Sequence, residues 1–205
     1  MQSEPVIQIR NLTKIYRDFW GRKKVRALNS LSLDVNKGEV FGLLGPNGSG
    51  KTTLFELITG SNQPTAGEVM CMGKNIHDVR YRERDRLAIH YHQSYQVRHF
   101  AKRKPAFMMQ PAGSDYPMVH LFDEPQFNTQ DGYIGFMLEF FQKLRSEGRL
   151  VFLCVHPNER FHLEILQEIC EQFIFVRHGQ LSHAPDFETL VTEEPVREYL
   201  GELLH

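Results

Sequence analysis

The segment formed by residues 45–53 constrains the fold of this chain more than any other feature. It consists of Gly45, Pro46, Asn47, Gly48, Ser49, Gly50, Lys51, Thr52 and Thr53. These residues fit the pattern G-x-x-x-x-G-K-[ST], and they follow a short apolar stretch, residues 39–44, that has the character of a buried parallel strand. The stretch 51–59 has helical spacing. Since a strand before and a helix after this pattern mark a phosphate-binding loop, the segment predicts a strand–loop–helix unit.

Each residue type in this loop has a chemical reason to be there. Glycines let the backbone curl so that successive N–H groups point toward phosphate oxygens. The helix that follows adds the positive end of its dipole. The Lys51 ammonium is suited to lie between β- and γ-phosphates, and the Thr52 hydroxyl is suited to ligate Mg²⁺. The loop therefore predicts ATP with Mg²⁺ as the bound group.

A second segment carries the acidic groups that such chemistry requires. The apolar stretch 118–122 runs directly into Asp123, Glu124 and Pro125. A strand that ends in an acidic residue delivers a carboxylate to the carboxyl edge of the sheet, where open α/β sheets bind ligands. Asp123 is the candidate Mg²⁺ ligand, and Glu124 is the candidate that orients or deprotonates the attacking water.

Along the rest of the chain, short apolar or alternating stretches alternate with stretches of helical spacing. Strands are predicted at 6–16, 27–35, 39–44, 68–72, 118–122, 150–155, 173–176 and 180–182, and helices at 51–59, 133–144, 163–171 and 188–204. The pattern predicts an α/β fold, a P-loop NTPase with a mostly parallel sheet flanked by helices and an antiparallel N-terminal β part. Because there is no internal repeat and no low-complexity linker, residues 1–205 are expected to form a single domain.

Composition excludes several classes of function. The 24 Lys and Arg residues nearly balance the 25 Asp and Glu residues, so no nucleic-acid partner is expected. No apolar stretch approaches the ~20 residues that a membrane-spanning helix needs, so any membrane association should occur through a partner. The cysteines, Cys71, Cys154 and Cys170, lack metal-ligand spacing and are expected to be buried thiols.

Taken with these motifs, further residues resemble those of the ATP-binding-cassette (ABC) transporter ATPases. Tyr16 resembles the aromatic residue on which this family stacks adenine. Gln93 lies where the family has the glutamine that reaches the metal and senses the membrane partner, and His156 resembles the histidine that contacts the γ-phosphate. Residues 62–69 and 170–180 resemble the family's linker after the phosphate-loop helix and its closing strand and turn.

The resemblance implies the function of a nucleotide-binding subunit. Such a subunit binds Mg-ATP and hydrolyses it to drive or gate a membrane transport partner. The implied partners are a transmembrane permease subunit and a second ATP-binding cassette, which would hold the chain at the cytoplasmic face of a membrane.

The sequence departs from the family pattern in one region. The family has a helical subdomain that ends in a glycine-containing signature, but here only the short segment 94–117 separates Gln93 from the acidic strand. The signature should fall near residues 99–103, which read His-Phe-Ala-Lys-Arg. The segment after the acidic strand, residues 126–131, is altered as well. The helical subdomain is therefore expected to be deleted, and a heterodimer with a complete cassette would supply the signature to the ATP bound here.

Other interpretations stay open. The chain could be a non-hydrolytic ATP-binding regulatory module, or a degenerate relative with little activity. A GTPase is disfavoured because no guanine-reading motif follows the loop, and a kinase because only 80–86 resembles an arginine-rich lid. The basic stretch 17–26 is read as a solvated hairpin rather than a lipid or partner contact. A zinc site formed by His90, His92 and His99 would lack a fourth ligand of sensible spacing.

Overall fold

The structure is a computed structural model of the chain, and it describes residues 5–22, 24–36, 38–92, 116–125 and 133–204. Within these residues the strands are β1 (Ile7–Arg17), β2 (Lys24–Val35), β3 (Val40–Leu44), β4 (Ala66–Cys71), β5 (Lys74–Asn75), β6 (Ala88–Tyr91), β7 (Val119–Asp123), β8 (Leu150–Cys154), β9 (Gln172–Arg177) and β10 (Gln180–Ala184). The helices are α1 (Lys51–Ile58), α2 (Tyr81–Leu87), α3 (Tyr133–Ser146), α4 (Arg160–Ile169), α5 (Phe187–Leu190) and α6 (Glu194–Leu200), followed by a 3-10 turn (Gly201–Leu204).

The larger sheet has six strands in the order β10-β9-β3-β8-β7-β6. All neighbouring pairs are parallel except β10, which runs antiparallel to β9. Every residue of β3 and β8 is buried, as expected for strands covered on both faces. The carboxyl ends of β3, β6, β7 and β8 therefore meet at one edge of the sheet, which is where the phosphate loop and the acidic residues emerge.

The smaller sheet is antiparallel and has the order β2-β1-β4-β5. Its long strands β1 and β2 form a hairpin with irregular register between Ile9 and Ile15. This sheet confirms the antiparallel N-terminal part predicted from the alternating pattern of residues 6–16 and 27–35.

Two apolar clusters cover the two faces of the larger sheet. Alternating side chains of one strand enter different clusters: Phe41 and Leu43 pack with α1 and the antiparallel sheet, whereas Val40 and Leu44 pack with α3 and α4. The three cysteines are buried and free, as expected from the sequence. Among the described residues, no helix combines the length and apolar character needed to cross a membrane.

The last part of the chain differs from the single helix predicted for residues 188–204. It is divided into α5, α6 and the 3-10 turn. Pro195 lies in the first turn of α6, where a proline is tolerated, but it could not lie in the interior of a continuous helix. Asp186 caps α5 by accepting a hydrogen bond from the Thr189 N–H. The apolar periodicity of residues 188–204 correctly predicted a buried face, and Pro195 sets the position at which α6 begins.

Candidate functional site

The phosphate loop connects the carboxyl end of β3 to α1, as the sequence predicted. Its Ser49 and Lys51 are among the few buried polar residues of the described chain. The Lys51 ammonium donates hydrogen bonds to the carbonyl oxygens of Gly45, at 2.6 Å, and Pro46, at 2.9 Å. A buried ammonium is stable only where acceptors surround it, so the loop itself holds this charge in place.

The shape of the loop is fixed by the neighbouring backbone. Gly45 has a φ of 143°, and a Cβ at this position would lie 2.1 Å from the carbonyl oxygen of Val176. On the same side, the N–H of Gly179 donates to the carbonyl oxygen of Ser49 at 3.2 Å. The turn between β9 and β10 therefore packs against the phosphate loop and stabilises its shape, although the two segments are far apart in sequence.

The beginning of α1 is electrostatically suited to an anion. Gly50 precedes the helix with a φ of 111°, no side chain of the described residues caps this end, and the first turn contains no acidic residue. The first N–H groups of the helix are thus available to a ligand, and the helix dipole favours negative charge there.

Thr52 and Asp123 meet across the site. The Thr52 hydroxyl donates to Oδ2 of Asp123 at 3.0 Å, which joins the loop to the end of β7. Burial raises the pKa of Asp123, but contacts with His90, the Cys154 thiol and Thr52 outweigh this effect and leave the pKa below its ordinary value. An ionised carboxylate beside a hydroxyl is the oxygen donor set that Mg²⁺ prefers, so the residues present fit this ion.

Glu124 has an unusual backbone conformation. Its φ is 48°, in the left-handed region that costs a non-glycine residue on the order of 1 kcal/mol. The Glu124 N–H donates to the carbonyl oxygen of Cys154 at 2.8 Å, so the pairing of β7 with β8 extends to this residue. Strain of this kind persists where the surrounding structure imposes it, and it is concentrated at functional positions.

Tyr16 and both acidic residues line one cleft of about 300 Å³ over the phosphate loop. The Tyr16 hydroxyl lies 3.3 Å from Oγ1 of Thr53 and accepts a hydrogen bond from the Asn62 amide at 2.9 Å. The Tyr16 side chain is partly exposed, so its ring is accessible to a ligand. The residues that line the cleft are Tyr16, Val25, Ala27, Asn47, Gly48, Gly50, Lys51, Thr52, Thr53, Asp123 and Glu124.

His156 lies just beyond the carboxyl end of β8 and is not among the residues that line this cleft. Its Nδ1 is hydrogen-bonded to the hydroxyl of Tyr199 in α6 at 2.9 Å. Burial raises the pKa of Tyr199, so its hydroxyl keeps its proton. This partner was not predictable from the sequence, because an aromatic residue on an amphipathic helix ordinarily indicates packing.

Some predicted site residues lie outside the described residues. They are Gln93, His99, most of the segment 94–117 and the segment 126–131. The structure thus brings together Tyr16, the loop, Asp123 and Glu124, and it places His156 at the end of the strand adjacent to β7.

Several known proteins are similar to this chain in sequence. An uncharacterized ABC transporter ATP-binding protein of Nostoc sp. is 44% identical over 80 residues, which cover 38% of this chain and 24% of the relative. The sulfate/thiosulfate import ATP-binding protein CysA of Pseudomonas putida is 40% identical over 87 residues, 42% of this chain and 25% of the relative. The matched part of the chain thus spans about a quarter of these relatives.

Solved structures share the fold over nearly the whole chain. The ATP-binding cassette MJ1267 in its ADP conformation has a TM-score of 0.73 at 19% identity and covers 98% of this chain and 100% of its own. The cassette MJ0796 bound to ADP and Pi has a TM-score of 0.68 at 19% identity and covers 87% of this chain and 98% of its own. These matches confirm the α/β fold of a P-loop ATPase cassette.

The family model described as "ABC transporter" matches residues 28–131, which include the phosphate loop and the acidic strand. This match covers more than half of the chain. The expected resemblance is therefore confirmed, and the chain belongs to the ABC transporter family of ATP-binding proteins.

Proposed function

We propose that this chain is a nucleotide-binding subunit that binds Mg-ATP in the cleft over the phosphate loop and hydrolyses it to drive or gate a membrane transport partner. The observation that carries the proposal is the hydrogen bond between Thr52 and Asp123. It brings the loop and the acidic strand end, which are far apart in sequence, to the same point of one cleft.

In this proposal the loop holds the phosphates. Backbone N–H groups and the beginning of α1 face the phosphate oxygens, and Lys51 exchanges its carbonyl partners for the β- and γ-phosphates. The ring of Tyr16, at the other side of the cleft, stacks against adenine. The phosphate oxygens would thus replace the carbonyl oxygens of Gly45 and Pro46, which accept hydrogen bonds from Lys51 in this structure.

Thr52 and Asp123 would hold Mg²⁺, with Gln93 as a further ligand. Bound there, the ion supplies charge neutralisation for the phosphate oxygens. Glu124, next to Asp123 in the cleft, orients and deprotonates the attacking water. His156, which is bound to Tyr199 just outside the lining of the cleft, would contact the γ-phosphate.

The proposed partners are a transmembrane permease subunit and a second cassette, so the chain would lie at the cytoplasmic face of a membrane through the permease. Relatives whose names describe import ATP-binding proteins support this assignment. Because the sequence near residues 99–103 lacks the family signature, we infer a heterodimer in which a complete cassette supplies that signature to this ATP.

The lack of the family signature near residues 99–103 also favours a second candidate function. Without its own signature and helical subdomain, the chain could act as an ATP-binding regulatory module that does not hydrolyse ATP and works only with a complete partner. This candidate uses the same cleft and the same bound nucleotide, and it differs only in the absence of turnover.

Steady-state ATP hydrolysis by the purified chain, beside Glu124→Gln, separates the two candidates. The thermal shift produced by Mg-ATP reports binding in both proteins. Turnover at least ~100-fold above the Glu124→Gln level, as removal of a general base predicts, supports the enzyme. A thermal shift with no turnover in either protein is expected both for the regulatory module and for a subunit that lacks the signature of its partner, so the assay is then repeated with a complete cassette added. Turnover that appears only with the complete cassette, and only with Glu124 intact, supports the enzyme, and its absence supports the regulatory module. No thermal shift in either protein contradicts both candidates.

A further inference from the structure

A histidine pair lies beside the acidic strand end. His90 in β6 and His92 just after it are two residues apart, and side chains at this spacing project from the same face of a strand. β6 pairs in parallel with β7, and the last paired residues are Tyr91 and Phe122. The next position in this register sets His92 alongside Asp123. Two imidazoles and one carboxylate are thus brought together by the sheet itself.

The distances in this cluster suit a shared ligand. Nε2 of His90 lies 3.7 Å from Oδ2 of Asp123, and the ring centroids of His90 and His92 are 3.7 Å apart. One possible ligand atom from each of the three residues lies within 4.8 Å of the others. Ligand atoms at bond lengths of ~2.0–2.2 Å around one ion are ~3.3–3.6 Å apart, so small side-chain rotations suffice. His92 is exposed and has the freedom to make them.

His90 is the buried member of this cluster. Its side chain is 5% exposed, and neither of its buried ring nitrogens has a hydrogen-bond partner among the residues that the structure describes. The 3.7 Å separation from Asp123 is too long for a hydrogen bond. The Phe55 ring packs at right angles to the imidazole and offers it no acceptor. Buried polar groups almost always make hydrogen bonds, so a buried imidazole that lies 3.7 Å from a carboxylate without a hydrogen bond to it indicates room for a shared ligand.

We propose that His90, His92 and Asp123 form a binding site for a borderline transition-metal cation of the Zn²⁺ class. Two nitrogen donors and one oxygen donor select such an ion over Mg²⁺, which prefers oxygen donors only. Three protein ligands leave one position of a tetrahedral ion open to water or another small ligand. Along the sequence the third candidate ligand is His99, whereas the pairing of β6 with β7 supplies Asp123.

This site shares a residue with the proposed Mg²⁺ site. Oδ2 of Asp123 is contacted by the Thr52 hydroxyl on one side and approached by His90 on the other. An ion held between Asp123 and the two imidazoles draws the carboxylate away from Thr52. Zinc binding therefore opposes Mg-ATP binding. This consequence rests on the proposed function, whereas the metal site itself does not.

The test uses the metal-free full chain without an affinity tag, titrated with Zn²⁺ by calorimetry in the absence of nucleotide. The variant is His92→Ala, whose side chain is exposed, and the matched control is His183→Ala, an exposed histidine on β10. We expect one Zn²⁺ per chain, at least tenfold weaker binding to His92→Ala, and unchanged binding to His183→Ala. Co²⁺ in place of Zn²⁺ should show the intense visible absorption of a four-coordinate site in the unmodified chain and lose it in His92→Ala.

Absence of stoichiometric Zn²⁺ binding, or equal affinity in His92→Ala, would overturn the proposal. Circular dichroism is the control that tests whether each variant is folded. In a second titration, Zn²⁺ should weaken Mg-ATP binding to the unmodified chain and have at least tenfold less effect on His92→Ala. A zinc effect that persists in His92→Ala would place the ion elsewhere and contradict the shared carboxylate. A chain that binds zinc but not Mg-ATP would refute the proposed function alone.

Discussion

The two sides of the cleft over the phosphate loop are built in different ways. The loop side, residues 45–53, is shaped by glycine conformations and by backbone groups that press against it, such as the Val176 carbonyl oxygen. The strand-end side is formed by Asp123 and Glu124, with His156 just outside the cleft. It is positioned by the order of the strands and by side-chain contacts with Thr52 and Tyr199. One side is specified by a contiguous segment, the other by tertiary structure.

This difference predicts how each side responds to mutation. Backbone carbonyl groups leave almost no room for an added atom at Gly45 and Gly50, so small substitutions at these two positions should have large effects. The strand-end side is held by hydrogen bonds between side chains, each worth about 1 kcal/mol net. Substitutions on this side should therefore have graded effects.

The largest effect is expected for Gly45→Ala. The φ of 143° is unsuited to alanine, and the added Cβ would lie 2.1 Å from a carbonyl oxygen. We expect a loss of at least ~2 kcal/mol of unfolding free energy, measured by urea denaturation, and no thermal shift with Mg-ATP. The matched control is Gly48→Ala, where a Cβ would meet nothing within 4 Å and only the backbone strain of ~1 kcal/mol applies. Equal losses in the two variants would mean that steric packing does not fix the loop.

The second effect concerns acid stability and the strand that carries Asp123. His120 in β7 is fully buried between the Tyr91 hydroxyl and the Pro117 carbonyl oxygen, and burial lowers its pKa to about 3. Above the ordinary pKa of about 6.5 the imidazole is neutral in both states, so its stabilising contacts are fully present. Between that pH and about 3 the unfolded chain alone binds the proton, so stability falls by at most ~1.4 kcal/mol per pH unit.

His120→Gln keeps polar atoms near both partners and cannot be protonated in this range. We expect its unfolding free energy to depend less on pH than that of the unmodified chain between pH 6.5 and 4, measured by urea denaturation. His183→Gln, at an exposed position, is the control and should change this dependence much less. Parallel curves for His120→Gln and the unmodified chain would show that His120 does not control acid stability.

The third effect tests the strain at Glu124. In an ordinary strand, alanine is more stable than glycine, but a φ of 48° reverses this order. We expect Glu124→Gly to be about 1 kcal/mol more stable than Glu124→Ala, measured as the difference in unfolding free energy. Neither variant retains the carboxylate, so their difference reports the backbone alone. If Glu124→Ala proves the more stable of the two, the left-handed conformation is absent in solution.

The smallest effect is expected for Tyr199→Phe. The ring keeps its contact with Phe175, and the hydroxyl loses its contacts with His156 and with the backbone of Gly45. We expect a decrease of about 1 kcal/mol in unfolding free energy. Tyr81→Phe, at an exposed tyrosine, should leave stability unchanged. A Tyr199→Phe variant as stable as the Tyr81→Phe control would mean that His156 is not held by this contact.

The same difference between the two sides explains what the sequence could predict. The strand, loop and helix around residues 40–58 were predictable because the determinants are local: an apolar run, glycines at fixed offsets and helical spacing. The acidic strand was predictable for the same reason, as β7 ends at Asp123. The pairing of β6 with β7, which sets His92 alongside Asp123, depends on strand order and was not predictable from spacing along the chain.

Two further features of the site could not be predicted from the sequence, because both depend on contacts between distant segments. The contact between His156 and Tyr199 joins the end of β8 to α6, and nothing local to either residue signals it. The left-handed conformation of Glu124, which glutamate rarely adopts, accompanies a hydrogen bond to Cys154 on the neighbouring strand. Long-range constraints of this kind determine the strand-end side.

The central claim, that the loop side captures Mg-ATP, is tested most directly by calorimetric titration of the purified chain with Mg-ATP. Lys51→Ala is the variant, and Lys74→Ala, at an exposed position, is the control. The predicted result is saturable binding of one nucleotide per chain, weakened at least about 100-fold in Lys51→Ala and unchanged in Lys74→Ala, with both variants folded by circular dichroism. No binding to the unmodified chain, or equal affinity in Lys51→Ala, would contradict the claim.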